Sequence, residues 1–133
     1  MRTRAIRVHQ VGGPDVLALE DVELAPPSAG EARIRHTAIG VNFIDVYHRT
    51  GLYPVALPFT PGMEAAGIVE SLGAGVTEFA VGERVAYASR PLGAYAEARN
   101  MPVDRLVQLP SEIDDVTAAA AMLKGMTAEF LLR

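Results

Sequence analysis

Cysteine and tryptophan are absent from the 133 residues, and aromatic side chains make up only 6%. Without thiols there is no disulfide framework, thiolate zinc site, iron–sulfur cluster or cysteine nucleophile. No apolar run reaches the roughly 18 residues that a membrane-spanning helix requires. An excess of positive charge is missing too. The net charge is −4, with no block of like charges, so the electrostatic footprint of nucleic-acid binding is lacking. The basic start Met1-Arg2-Thr3-Arg4 runs into Ala5-Ile6-Arg7-Val8-His9, where Arg7 spoils the apolar segment of a secretory leader. Ser28, Ser71, Ser89 and Ser111 all lack a Gly-x-Ser-x-Gly context, so nothing supports a serine hydrolase. These absences predict a cytoplasmic setting, with neither nucleic acid nor membrane as a partner.

Half of the residues are hydrophobic and 21% are charged, which supplies a core for one domain. Twelve glycines and nine prolines point to many turns and short strands. Residues 5–9 read as a strand with Ile6 and Val8 on one face. Gly12-Gly13-Pro14-Asp15 is a turn. Ala32, Ile34 and His36 alternate with Arg33, Arg35 and Thr37 in a half-buried strand. Asn42 is a helix cap with Asp45 at the third position beyond it, and Gly51 ends that helix in the left-handed conformation. Asp45 is then either a charge partner for the helix terminus or an orienter of Arg49, four residues on. Further strands are predicted over residues 65–70, 84–88, 94–98 and 106–109, the spacing of an all-β barrel or sandwich.

The C-terminal stretch differs. Ser111 reads as an N-cap paired with Asp114, followed by an alanine-rich helix from Val116 to Leu123. Gly125 interrupts it, and Thr127 caps a second helix over residues 128–133. A helix of about six residues is marginal in water, so Phe130, Leu131 and Leu132 need something to pack on. The chain therefore reads as the front part of a longer protein.

Several motifs now stand in order: Gly40-Val41-Asn42-Phe43-Ile44-Asp45-Val46-Tyr47-His48-Arg49-Thr50-Gly51-Leu52-Tyr53-Pro54, then Pro61-Gly62-Met63-Glu64-Ala65-Ala66-Gly67, then Val81-Gly82-Glu83-Arg84-Val85, Gly93-Ala94-Tyr95-Ala96-Glu97 and Leu123-Lys124-Gly125-Met126-Thr127. Over nearly its whole length the chain resembles the N-terminal part of NADPH:quinone oxidoreductases, the zeta-crystallin-like, zinc-independent branch of the medium-chain dehydrogenase/reductases. The resemblance implies a mainly β, GroES-like β-barrel over residues 1–122. Residues 123–133 would start a linker helix toward a Rossmann domain. It also implies NADPH as cofactor, a quinone-like substrate and, for the full-length protein, a homodimer. The chain has no Gly-x-Gly-x-x-Gly: Gly73-Ala74-Gly75 begins like one, but position 78 is Glu78 and no helix pattern follows. The glycine loop that lets a backbone approach a pyrophosphate is therefore missing.

Zinc-dependent relatives carry Cys where Asn42 stands and His where Met63 stands. An amide and a thioether are poor zinc ligands, and His9, His36 and His48 offer no i,i+4 pair, so no metal site is predicted. Hydride acceptance by a quinone or enone then needs hydrogen-bond donors where negative charge develops on oxygen. A phenol, with an ordinary pKa of about 10, stays protonated near neutrality, and Tyr47 offers one. The resemblance places Tyr47 and Asn42 beside the nicotinamide and its ribose as catalytic and cofactor-binding residues. It sets Lys124 and Thr127 along the cofactor cleft. Tyr53, in a proline-flanked loop, reads as an aromatic wall of the acceptor pocket. Met63 and Glu64 read as its floor. Each also has a plain structural reading: Tyr47 packed on the barrel, Asn42 a helix cap, Tyr53 an exposed loop aromatic, Lys124 a solvated helix lysine, Thr127 a cap. Two other functions fit the pattern: a stand-alone GroES-like module that binds partners, and an enoyl-thioester reductase of the same superfamily.

Overall fold

A computed structural model describes residues 1–133 throughout. The fold is mainly β, with two helices. Strands β1 (Arg2–Arg7) and β2 (Ala18–Glu23) pair antiparallel as a two-stranded sheet. Strands β3 (Glu31–Gly40), β4 (Glu64–Leu72), β5 (Arg84–Ala88), β6 (Ala98–Pro102) and β7 (Val107–Gln108) form a five-stranded antiparallel sheet in the order β6-β3-β4-β5-β7. Pro102 is tolerated because β6 lies at an edge, where a missing N–H breaks no ladder. Helix α1 (Phe43–Thr50) follows β3, and α2 (Asp115–Leu131) closes the chain.

Strand pairing does not run into a closed ring. The two sheets are joined instead through residues 95–97. Ile6 N–H donates to the Tyr95 carbonyl and Glu97 N–H to that of Arg4, both on β1, while His36 N–H on β3 donates to the Glu97 carbonyl. The strand expected over 94–98 is thus a bent connector carrying a single bridge, Ala5 to Ala96, and the regular strand starts only at Ala98. The expected Ile6/Val8 face also fails. Thr3 and Ala5 are the buried residues of β1, and Val8, wholly buried, leaves that ladder to pair with Phe59.

The alternation predicted for β3 holds, with Ala32 and Ile34 wholly buried. They meet Ala65, Val69, Val85, Tyr87, Ala94, Met101 and Leu106 in the main core. Strands β4 and β5 are buried on their other side too. Ala66 and Ala86 pack against Ala118 and Ala119 of α2. Four alanines at this contact let the helix axis lie close to the sheet.

Helix α2 departs from the expected pair of helices. It runs unbroken through Gly125 for 17 residues. Its N-cap is Asp114, whose Oδ1 accepts from Thr117 N–H at 2.7 Å, not Ser111. Thr127 caps nothing; its hydroxyl donates to the Leu123 carbonyl one turn earlier at 3.0 Å.

Candidate functional site

The N-termini of α1 and β4 and the middle of α2 converge on one cleft. Its volume is about 660 Å³, and Asn42, Phe43, Met63, Lys124, Met126 and Thr127 are among its lining residues. Asn42 ends an extended segment after β3 and opens α1 (φ −130°, ψ 154°). The Asp45 carboxylate accepts the Asn42 backbone N–H at 3.0 Å, which closes the helix start from inside. That carboxylate also accepts the Tyr95 hydroxyl at 2.7 Å. Burial and the neighbouring carboxylate together push the Tyr95 phenol well above its ordinary range, so it is a fixed donor. Asp45 makes no ion pair with Arg49, so of its two readings only the helix-terminus role is realised. At the other end of α1, Gly51 has φ 84° and its N–H reaches the His48 carbonyl, as the sequence predicts.

Beyond the capping box that it forms with Asp45, the Asn42 side chain reaches two other elements. Its Nδ2 donates to Glu64 Oε2 at 2.7 Å and its Oδ1 accepts from Lys124 Nζ at 2.8 Å. Glu64 starts β4 and has no solvent exposure. Its Oε1 accepts the Leu123 backbone N–H at 2.7 Å, and Lys124 Nζ lies 3.6 Å from Oε2. Space for that carboxylate exists because residue 40 is glycine: a Cβ there would stand 2.6 Å from Glu64 Oε2 and 2.2 Å from the Ala119 carbonyl. Lysine, amide, carboxylate and helix backbone thus form one continuous hydrogen-bonded chain.

Of the seven residues singled out by sequence, five gather at this place. Asn42, Met63, Lys124 and Thr127 line the cleft, and Glu64 lies beneath its surface. Tyr47 and Tyr53 are not in the lining. They pair with each other edge to face, ring centroids 5.3 Å apart, and Tyr53 N–H bonds the Tyr47 carbonyl. Tyr47 sits one helical turn beyond Phe43, on the same face of α1 by helical spacing. The sequence reading missed Phe43, Ile44 and Met126 as lining residues. Phe43 is 81% exposed at the first position of α1; a large apolar side chain directly after a cap was the available signal. The Asp45–Tyr95 pair, 50 positions apart, had no local signal.

With its polar edge of ammonium, amide and hydroxyl beside an apolar floor, the cleft can take a flat, partly polar ligand against Phe43 and Met63.

The sequence matches the family described as the alcohol dehydrogenase GroES-like domain over residues 28–111. It is 51% identical to a quinone oxidoreductase of Pseudomonas aeruginosa across 98% of this chain and 40% of that protein. It is 48% identical to a 2-haloacrylate reductase of a Burkholderia species across 94% of this chain and 39% of that one. The solved structure of the Escherichia coli quinone oxidoreductase complexed with NADPH superposes with a TM-score of 0.95 at 46% identity, covering 98% of this chain and 40% of that one. The chain thus spans about 40% of the length of the curated relatives it matches.

Proposed function

The chain belongs to the alcohol dehydrogenase GroES-like domain family, and on that premise we propose that it forms the acceptor-side wall of an oxidoreductase. That enzyme passes hydride from NADPH to a quinone or another α,β-unsaturated carbonyl. Two things support this: the likeness to quinone oxidoreductases and a 2-haloacrylate reductase, and the convergence of Asn42, Lys124 and Thr127 on one edge of an apolar cleft. The second observation carries the reading.

The donor set fits part of NADPH. Lys124 keeps 54% of its side chain exposed, and the Asn42 amide and Thr127 hydroxyl lie beside it, groups suited to a ribose or a carboxamide. These 133 residues hold no Gly-x-Gly-x-x-Gly, so residues outside them would hold the pyrophosphate. When bound, NADPH supplies the hydride. This chain's residues would orient the acceptor against Phe43 and Met63, exclude water with the apolar floor and donate hydrogen bonds where the acceptor oxygen gains charge. Tyr47 is the phenol donor in this scheme, Tyr53 its packing partner. An amide and a thioether at positions 42 and 63 suit chemistry without zinc. Residues 123–133 would lead toward the nucleotide-binding domain of a cytoplasmic enzyme, dimeric in its full-length form.

The test is NADPH oxidation with 1,4-benzoquinone by the natural protein that contains this chain. Quinone-dependent loss of NADPH is expected, with Tyr47→Phe lowering kcat by about 100- to 1,000-fold, as for removal of one oxyanion donor. Absence of quinone-dependent oxidation would sink the reading.

A further inference from the structure

Burying an ionised carboxylate is costly unless both its oxygens are satisfied. Glu64, with no solvent exposure, meets this with two donors from different elements: the Asn42 amide of the α1 cap at 2.7 Å and the Leu123 backbone N–H of α2 at 2.7 Å. An amide side chain is ambiguous by itself, since its two ends are nearly the same shape. Here Glu64 decides which end points where. Because Nδ2 is drawn to the carboxylate, Oδ1 faces outward and receives Lys124 Nζ at 2.8 Å. The same carboxylate, 3.6 Å from that ammonium, holds the lysine at the cleft edge.

We propose that Glu64 is a positioning residue: it fixes which end of the Asn42 amide faces outward and, through that Oδ1, where the Lys124 ammonium stands at the cleft edge, and so the geometry of hydride transfer. This rests on the reading given above for the cleft. Its physical content lies in the count of acceptors. Two N–H donors converge on Glu64, and a glutamine in its place offers one oxygen and one NH₂. Either Leu123 or Asn42 must then confront a donor with a donor. A flip of the Asn42 amide relieves that clash but turns its NH₂ toward the Lys124 ammonium. An isosteric change that removes no volume therefore disorganises the cleft edge. A purely structural carboxylate would lower stability and leave the chemistry of the folded molecules alone.

The experiment uses the natural protein containing this chain, as wild type, E64Q, N42A and E64Q/N42A. Its readouts are kcat at saturating NADPH and benzoquinone, thermal unfolding, and the side-chain amide resonance of Asn42 in protein labelled with ¹⁵N-asparagine, assigned by its loss in N42A. E64Q is expected to lower kcat at least about tenfold, the scale of a displaced reacting geometry, and to move the Asn42 resonance. In the N42A background the same change is expected to cost less than about twofold, because the amide it acts through is gone. A kcat for folded E64Q within twofold of wild type overturns the proposal, as do E64Q and N42A effects that multiply independently. If E64Q does not fold, E64D serves. It keeps the charge but is one methylene too short to meet both donors, and wild-type kcat in E64D overturns the proposal equally. Should the wild type show no quinone turnover, the functional reading fails on its own. The Asn42 resonance then decides the positioning role: a resonance unmoved by E64Q overturns it, and a moved one supports it.

Discussion

His36 shows how a residue's surroundings become a pH dependence. Its Nδ1 contacts the Ala96 carbonyl at 2.6 Å and its Nε2 the Tyr87 hydroxyl at 2.9 Å. Burial lowers its pKa to about 4, with the Arg99 charge adding to the effect and the Ala96 carbonyl opposing it. The neutral ring is thus the form the fold accepts. Above pH 6.5 both folded and unfolded chains hold it neutral, and the contribution to stability is complete. As pH falls from 6.5 toward 4 the unfolded chain takes up the proton first, and stability drains away by on the order of 3 kcal/mol. His48, also lowered by burial and by Arg90, adds to the same slope. Urea unfolding midpoints between pH 7 and 4 are expected to fall less steeply in His36→Asn than in wild type. Identical slopes would show that His36 is not the group responsible. The strand that carries His36 was legible from alternation alone; its partners, 51 and 60 positions away, were not.

Among the elements, α2 is where local pattern and final structure part most clearly. Ser111 and Asp114 are both acceptable caps by residue type, and only the bond from Thr117 N–H to Asp114 selects between them. Asp114→Ala is therefore expected to lower the thermal midpoint, while Ser111→Ala leaves it unchanged; the reverse order would return the cap to Ser111. In the sequence Gly125 reads as a break, since glycine in a helix costs about 1 kcal/mol against alanine. That cost is small beside a helix whose first half is anchored on the sheet through Ala118 and Ala119. A Cβ at position 125 would meet nothing within 4 Å, so Gly125→Ala is expected to stabilise the chain by about 0.5–1 kcal/mol in denaturant titration. A destabilised variant would mean that the helix is not continuous there. Gly40 behaves in the opposite way. Its Cβ would collide with the Ala119 carbonyl, a backbone atom that cannot swing aside. Gly40→Ala should cost about 1–3 kcal/mol as α2 is pushed off β3, and wild-type stability in that variant would contradict the packing described. The caps at Asn42 and Gly51 were legible because each is decided within four residues. The connector at 94–97 was not, because its alternation mimics a strand while its hydrogen bonds divide between β1 and β3.

At the scale of the whole molecule, the cleft between α1, β4 and α2 lies open to solvent. Phe43, Phe130, Leu131 and Leu132 are 81, 77, 73 and 87% exposed, and Phe43 and Leu131 both belong to the cleft's lining. Donors that face bulk water stabilise a developing charge far less than donors in a dry site, since solvent screens them and competes for the same oxygen. A reacting pair held from one side only also forfeits most of the advantage of fixed orientation. The polar chain from Lys124 to Leu123 is preorganised within this chain, but preorganisation without enclosure gives little rate. The 133 residues on their own are therefore expected to oxidise NADPH with 1,4-benzoquinone at less than about a hundredth of the rate of the natural protein that contains them, measured at equal molar concentration by absorbance at the reduced-nicotinamide band. A comparable rate from the isolated chain would place the whole catalytic apparatus inside it, and the division of labour between acceptor wall and cofactor-holding residues would have to be abandoned.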